Sequence, residues 1–130
     1  MTDRLASARR VVIKLGSSLI LKPEEGIANL DWLRTLGQDI AEMQANGQEV
    51  LIVSSGAAAL GRGFATAHKQ FTYRDMSTLS TRQAASALGQ PRLMAAFAEA
   101  FTSLDVPVAQ ALLTLDDTEN RKRWLNARAT

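Results

Sequence analysis

VLIVSSGAAAL, Val50 to Leu60, decides the fold: four apolar residues, three small ones, then a run of helix formers. An apolar run this short, closed by serines and a glycine, reads as a strand. Ala57, Ala58, Ala59 and Leu60 then carry the chain straight into a helix. The same arrangement stands upstream, where Val11, Val12, Ile13, Lys14 and Leu15 end at Gly16-Ser17-Ser18 and read as another buried strand. Between them Leu30, Leu33, Leu36, Ile40 and Met43 recur every three or four residues. That spacing predicts a helix with Asn29 as N-cap and Asn46-Gly47 as its stop.

Downstream, residues 64–77 (FATAHKQFTYRDMS) keep no period and read as an excursion: a lid, a loop or a contact surface. Leu79 to Leu88 is helical by composition. Pro91 suits the first turn of a new helix with Leu93, Met94, Phe97 and Phe101 as its buried stripe, Gly89 separating or kinking the two. Val106 to Leu113 reads as a third strand with Pro107 near its start, and Thr114 with Asp117 as a capping box opening a last helix through Trp124 and Leu125. Strands alternating with helices favour an α/β fold, a mainly parallel sheet with right-handed crossovers and helices on its faces. Ligands on such sheets collect at the carboxyl ends of the strands, where both glycine-serine turns fall, so the two turns point to one site.

Composition bounds the chemistry. The 130 residues are 46% hydrophobic and 22% charged, ordinary for a globular domain, and a chain of that length buries roughly two-thirds of its unfolded surface. With no cysteine, disulfides and thiolate chemistry are excluded, and with His68 the only histidine a multi-histidine metal site is impossible. The opening MTDRLASARR followed by VVIKLGSSLIL is neither a signal peptide nor a membrane span, which makes a soluble, cytoplasmic protein the expectation. A net charge of +2 gives no broad nucleic-acid surface.

Gly56 to Gly63 has the glycine spacing of a P-loop but puts Arg62 and Gly63 where lysine and a hydroxyl are needed, and helix formers where a loop is needed. Gly61-x-Gly63 follows a helix and lacks the third glycine of a dinucleotide fingerprint, so both patterns read as a helix end. Lys14 lies inside an apolar strand, where an ammonium is costly unless it meets a polar cleft or an anion; taken alone it reads equally as a stem snorkelling to water. Its neighbours Gly16-Ser17-Ser18 tip the balance, since a small-residue turn frees backbone amides to approach phosphate oxygens and the lysine supplies charge. Ser54-Ser55-Gly56 repeats the arrangement, with a plain helix cap as the alternative reading.

The motifs VVIKLGSSLI, LIVSSGAAALG, RQAASALGQPRL and LLTLDDTENRKRWLNAR, in that order, resemble the glutamate 5-kinases of the amino-acid kinase family. The resemblance implies an amino-acid-kinase-like αβα sandwich, here incomplete: residues 1–130 would be the amino-terminal part of the kinase domain, truncated before its nucleotide-binding half. It implies ATP-dependent phosphorylation of the side-chain carboxylate of L-glutamate at the entry to proline synthesis, Mg²⁺ arriving on the nucleotide, and a homo-oligomeric full-length enzyme without nucleic-acid or membrane partners. By the same resemblance Lys14 is the catalytic and ATP-phosphate contact, Gly16 and Ser17 line the phosphate turn, and Ser55 with Gly56 holds glutamate. Alternatives are an acetylglutamate- or aspartate-type kinase and a non-catalytic binding or assembly fragment. Ala129 departs from an expected aspartate and Arg82 from a common lysine, the latter keeping charge but not geometry. Arg121, Lys122 and Arg123 read as solvated charges around one buried aromatic, Trp124, and His68, Tyr73 and Arg74 as ordinary surface residues.

Overall fold

Two six-residue β-branched segments, Arg10–Leu15 (β1) and Glu49–Ser54 (β4), lie side by side in the computed structural model, which describes residues 2–22, 25–68 and 78–130. They pair in parallel, Arg10 opposite Glu49 and Leu15 opposite Ser54. Ahead of them runs α1 (Thr2–Ser7). Between them come α2 (Ser17–Ile20), an antiparallel hairpin of β2 (Leu21–Lys22) and β3 (Ile27–Ala28), and α3 (Leu30–Ala45). After β4 follow α4 (Ala57–Ala67), α5 (Leu79–Thr102), α6 (Leu115–Glu119) and α7 (Arg121–Ala129).

The predicted central helix is α3. Asn29 accepts the Trp32 amide at 3.4 Å, and after Asn46 the chain leaves through Gly47 at φ +79°, a backbone conformation natural only to glycine. Leu33 and Ile40 of α3 meet Leu93, Phe97 and Phe101 of α5 in one core, which also takes Leu15, Ile20 and Leu60. Ile13, Val50 and Ile52 turn their sheet face onto it. The other face carries Val12, Leu51 and Val53 at 59%, 55% and 48% exposure. The continuous apolar runs suit burial on both faces, yet among the described residues no helix covers this one. We expect the isolated chain to self-associate and to bind a dye selective for exposed apolar surface; a monodisperse monomer by light scattering without dye binding would contradict this.

Three expectations are corrected. Leu79–Thr102 is one helix through Pro91: the proline removes only the amide that would bond the Ala87 carbonyl, and Gly89 is held against α4. Val106–Leu113 is irregular and pairs with no strand among the described residues: Val106 and Val108 pack on the core while Leu112 and Leu113 face outward, and a groove of about 450 Å³ is lined by both this segment and β4. A strand exists only where a neighbour accepts its ladder, and none is offered here. The last helix is two. Asn120 adopts extended torsions and its side chain accepts the Lys122 and Arg123 amides, so it starts α7 afresh rather than continuing α6.

The capping box itself forms. Asp117 accepts from the Thr114 amide and hydroxyl, both at 2.7 Å, and these bonds hold its carboxyl below the ordinary value of 3.8. Trp124 is 42% exposed rather than buried, with Arg128 over its ring, and Arg123 pairs with Asp116. Of the irregular excursion, Phe64 to Ala67 belong to α4 and His68 caps it; residues 69–77, with Tyr73 and Arg74, lie outside the described residues.

Candidate functional site

Because β1 and β4 are parallel and in register, Lys14 stands opposite Val53 and Leu15 opposite Ser54. Both strands stop at the same level, and both small-residue turns leave from the same edge of the sheet. Gly16 follows β1 in extended conformation (φ −74°, ψ 154°) and Leu19 donates back to its carbonyl at 3.2 Å, closing the short turn of α2. Gly56 follows β4 and begins α4. A Cβ on Gly56 would come within 3.3 Å of Ile20, so its smallness lets the end of α2 lie on the start of α4. Ile20, at the end of the turn that follows Gly16-Ser17, thus lies against Gly56.

Gly56 is the N-cap of α4, and no side chain caps that end. The cap reading of the serines is thereby excluded for this helix, whose first amides and positive dipole end are left to other partners. Ser54 and Ser55, read together in the sequence, separate in space. Ser55 is exposed; Ser54 turns inward, its Oγ buried and without a hydrogen-bond partner among the described residues. Lys14 is exposed on the uncovered sheet face with Val12, Leu51 and Val53, a position open to an incoming anion. The amino ends of the strands are occupied differently: Arg10 bonds Glu49 at 2.7 Å, and that hydrogen bond and charge, with Arg9 beside it, lower the Glu49 pKa below its ordinary 4.5.

Gly61 and Gly63 lie inside α4, not at its end. A Cβ at Gly61 would overlap the Ala85 carbonyl of α5, and one at Gly63 the Gly26 backbone of the hairpin. Sequence reasoning missed a cleft of about 590 Å³ beside this contact, lined by Ser17, Ser18, Gly26, Arg62 and Gly63 among others. Only the contact between Gly26 and Gly63, distant in sequence, creates it. Arg82 is exposed in the first turn of α5 and Ala129 ends α7. Among the described residues no group of three or more His, Asp or Glu side chains is placed to hold a metal, and no helix is long and apolar enough to cross a membrane.

The two parallel strands thus end at one level in glycine-serine turns, the second opening a helix with no side-chain cap. Residues 9–130 match the amino acid kinase family, and the chain belongs to that family. It is 52% identical over 124 residues to a glutamate 5-kinase of Caulobacter vibrioides, covering 95% of this chain and 32% of the relative. A glutamate 5-kinase of Paramagnetospirillum magneticum is 47% identical over 126 residues, with 97% and 32% covered. One of Brucella ovis is 45% identical over 130 residues, with 100% and 33% covered. The chain thus spans about a third of the length of the curated relatives it matches.

Proposed function

We propose that this chain is the amino-terminal part of an ATP-dependent glutamate 5-kinase of the cytoplasm, assembled as a homo-oligomer, with the nucleotide-binding half supplied by a further stretch of polypeptide. The observation that carries the reading is the in-register parallel pair: the strand bearing Lys14 and the strand leading to Ser55-Gly56 end at one level, Leu15 opposite Ser54. One turn would take the phosphates of the nucleotide and the other the amino-acid substrate.

In the reaction a side-chain carboxylate oxygen attacks the γ-phosphorus of ATP, the bond from that phosphorus to the β–γ bridging oxygen breaks, and glutamyl 5-phosphate and ADP result. A carboxylate is already ionised near neutral pH, so no general base is required. Catalysis then rests on alignment and on neutralising the transferring phosphoryl group. Lys14 supplies a cation there, Gly16 and Ser17 approach the phosphates through small side chains and backbone amides, and Ser55 with Gly56 at the uncapped start of α4 receives the acceptor. The unused amides of α4 and the exposed Lys14 suit an anionic pair of ligands. Mg²⁺ carried by the nucleotide would share the charge.

The test is substrate-dependent ADP release by the polypeptide extended to the length of its relatives. Glutamate is expected to be phosphorylated in preference to N-acetylglutamate and aspartate, and preference for either of those would overturn the reading. The 130-residue chain alone is expected to make no glutamyl phosphate, because only part of one wall of the site is present. ADP release from it, lost in Lys14→Ala, would refute that expectation.

A further inference from the structure

The cleft between α2 and α4 has Arg62 as the one cationic residue among its described lining, with Glu25 as an anion. Arg62 lies in the second turn of α4 and its backbone is fixed on two sides, through Gly61 to α5 and through Gly63 to the hairpin. Thr66 holds the Arg62 carbonyl at 2.9 Å. Arg62 is exposed and lines a cleft with Ser17 and Ser18.

Among the described residues Arg4, Arg82 and Arg121 share with Arg62 the lack of an ion pair or ring contact, while the other described arginines are engaged. The ion pairs among the described residues take Arg9, Arg10, Arg34 and Arg123. Arg92 lies over the Phe64 ring at 3.2 Å and Arg128 over Trp124 at 5.3 Å. Among the described residues Arg62 is in none of these arrangements, although Glu25 lines the same cleft. A guanidinium that lines a cleft with two serines suits a planar or tetrahedral oxyanion, which it binds through paired N–H donors.

We propose that Arg62 is a further oxyanion-binding residue of the candidate site, acting across the cleft from the Gly16-Ser17-Ser18 turn; this rests on the reading of that turn as a phosphate turn. The oxyanion is either a nucleotide phosphate or a carboxylate of the amino-acid substrate. The chemistry is shared, and the test separates the two.

Calorimetric titration of the full chain with inorganic tripolyphosphate, and separately with L-glutamate, would be run on the wild type, Arg62→Gln, Arg62→Lys and Lys14→Ala, with circular dichroism to check folding. Arg62→Gln is expected to weaken one of the two probes about tenfold, the loss of one charge-assisted contact. Loss confined to tripolyphosphate assigns Arg62 to phosphate; loss confined to glutamate assigns it to a carboxylate. Arg62→Lys, which keeps the charge and loses the paired geometry, is expected to fall between wild type and Gln, and it carries the comparison should Arg62→Gln not fold. Binding of both probes undiminished in the Arg62 variants overturns the proposal. If Lys14→Ala abolishes tripolyphosphate binding while the Arg62 variants bind normally, the phosphate turn stands and Arg62 alone is rejected. If the wild type binds neither probe, both fall.

Discussion

Lys14→Ala, placed in the polypeptide extended to the length of its relatives, is expected to lower turnover by about a hundredfold or more, the scale on which one preorganised electrostatic contact to a developing charge acts. The expectation rests on where the side chain is. Lys14 is exposed at the end of β1, so its removal takes away no buried contact and leaves the core of Leu15, Leu33, Leu93 and Phe97 untouched. Folding and catalysis therefore separate in this variant. Steady-state kinetics and a thermal melt on the same preparation decide the matter: the catalytic assignment requires turnover to collapse while the melting temperature stays within a few degrees. A variant that melts early yet turns over normally would show that the ammonium only covers apolar surface on the sheet. Ser55→Ala should instead raise the KM for glutamate with a smaller effect on kcat, because its proposed partner is the acceptor rather than the transferring group.

Gly89→Ala is expected to cost about 3 kcal/mol or more, at the upper end of what overpacking does and a large part of a typical domain's total stability. At Gly89 an added methyl would overlap the Ala57 carbonyl, with the Gly61 amide nitrogen at 2.6 Å; at Gly61 it would meet the Ala85 carbonyl, with the Gly89 nitrogen at 2.8 Å. Every one of these neighbours is backbone, so no rotamer change relieves the clash and α4 must lift off α5. The melting temperature should fall by on the order of 10 °C. Gly47→Ala is the contrasting case, since nothing lies within 4 Å of that Cβ and the penalty comes from φ +79° alone, about 1 kcal/mol. Equal losses at the two positions in parallel melts would mean that the α4–α5 crossing is not as close as described.

What could be read from the sequence was whatever is decided locally. Asn29 and Gly47 punctuate α3 by their own chemistry, and the apolar runs before Gly16 and Ser54 are strands wherever they pair. The sequence also put the two glycine-serine turns on one edge, because parallel strands must end on the same side. The failures share a cause in partners distant along the chain. Pro91 sits inside α5 because Gly89 is clamped by Ala57, some thirty positions away, a contact with no local signature. Val106 to Leu113 has a strand's composition, but composition cannot supply the neighbour. The Arg62 cleft depends on Gly26 meeting Gly63, and in the sequence Gly61-x-Gly63 looked like the end of a helix when it was the reason two other elements could approach it.

The crossing of α4 and α5 also bears on how this stretch can vary. Every glycine codon begins with two guanines, so a single-base change that replaces the residue introduces Ala, Val, Ser, Cys, Asp, Glu, Arg or Trp. Each brings the Cβ that Gly61 and Gly89 have no room for, the smallest included. At these two codons no one-step replacement is gentle, and drift there is confined to the third, synonymous base.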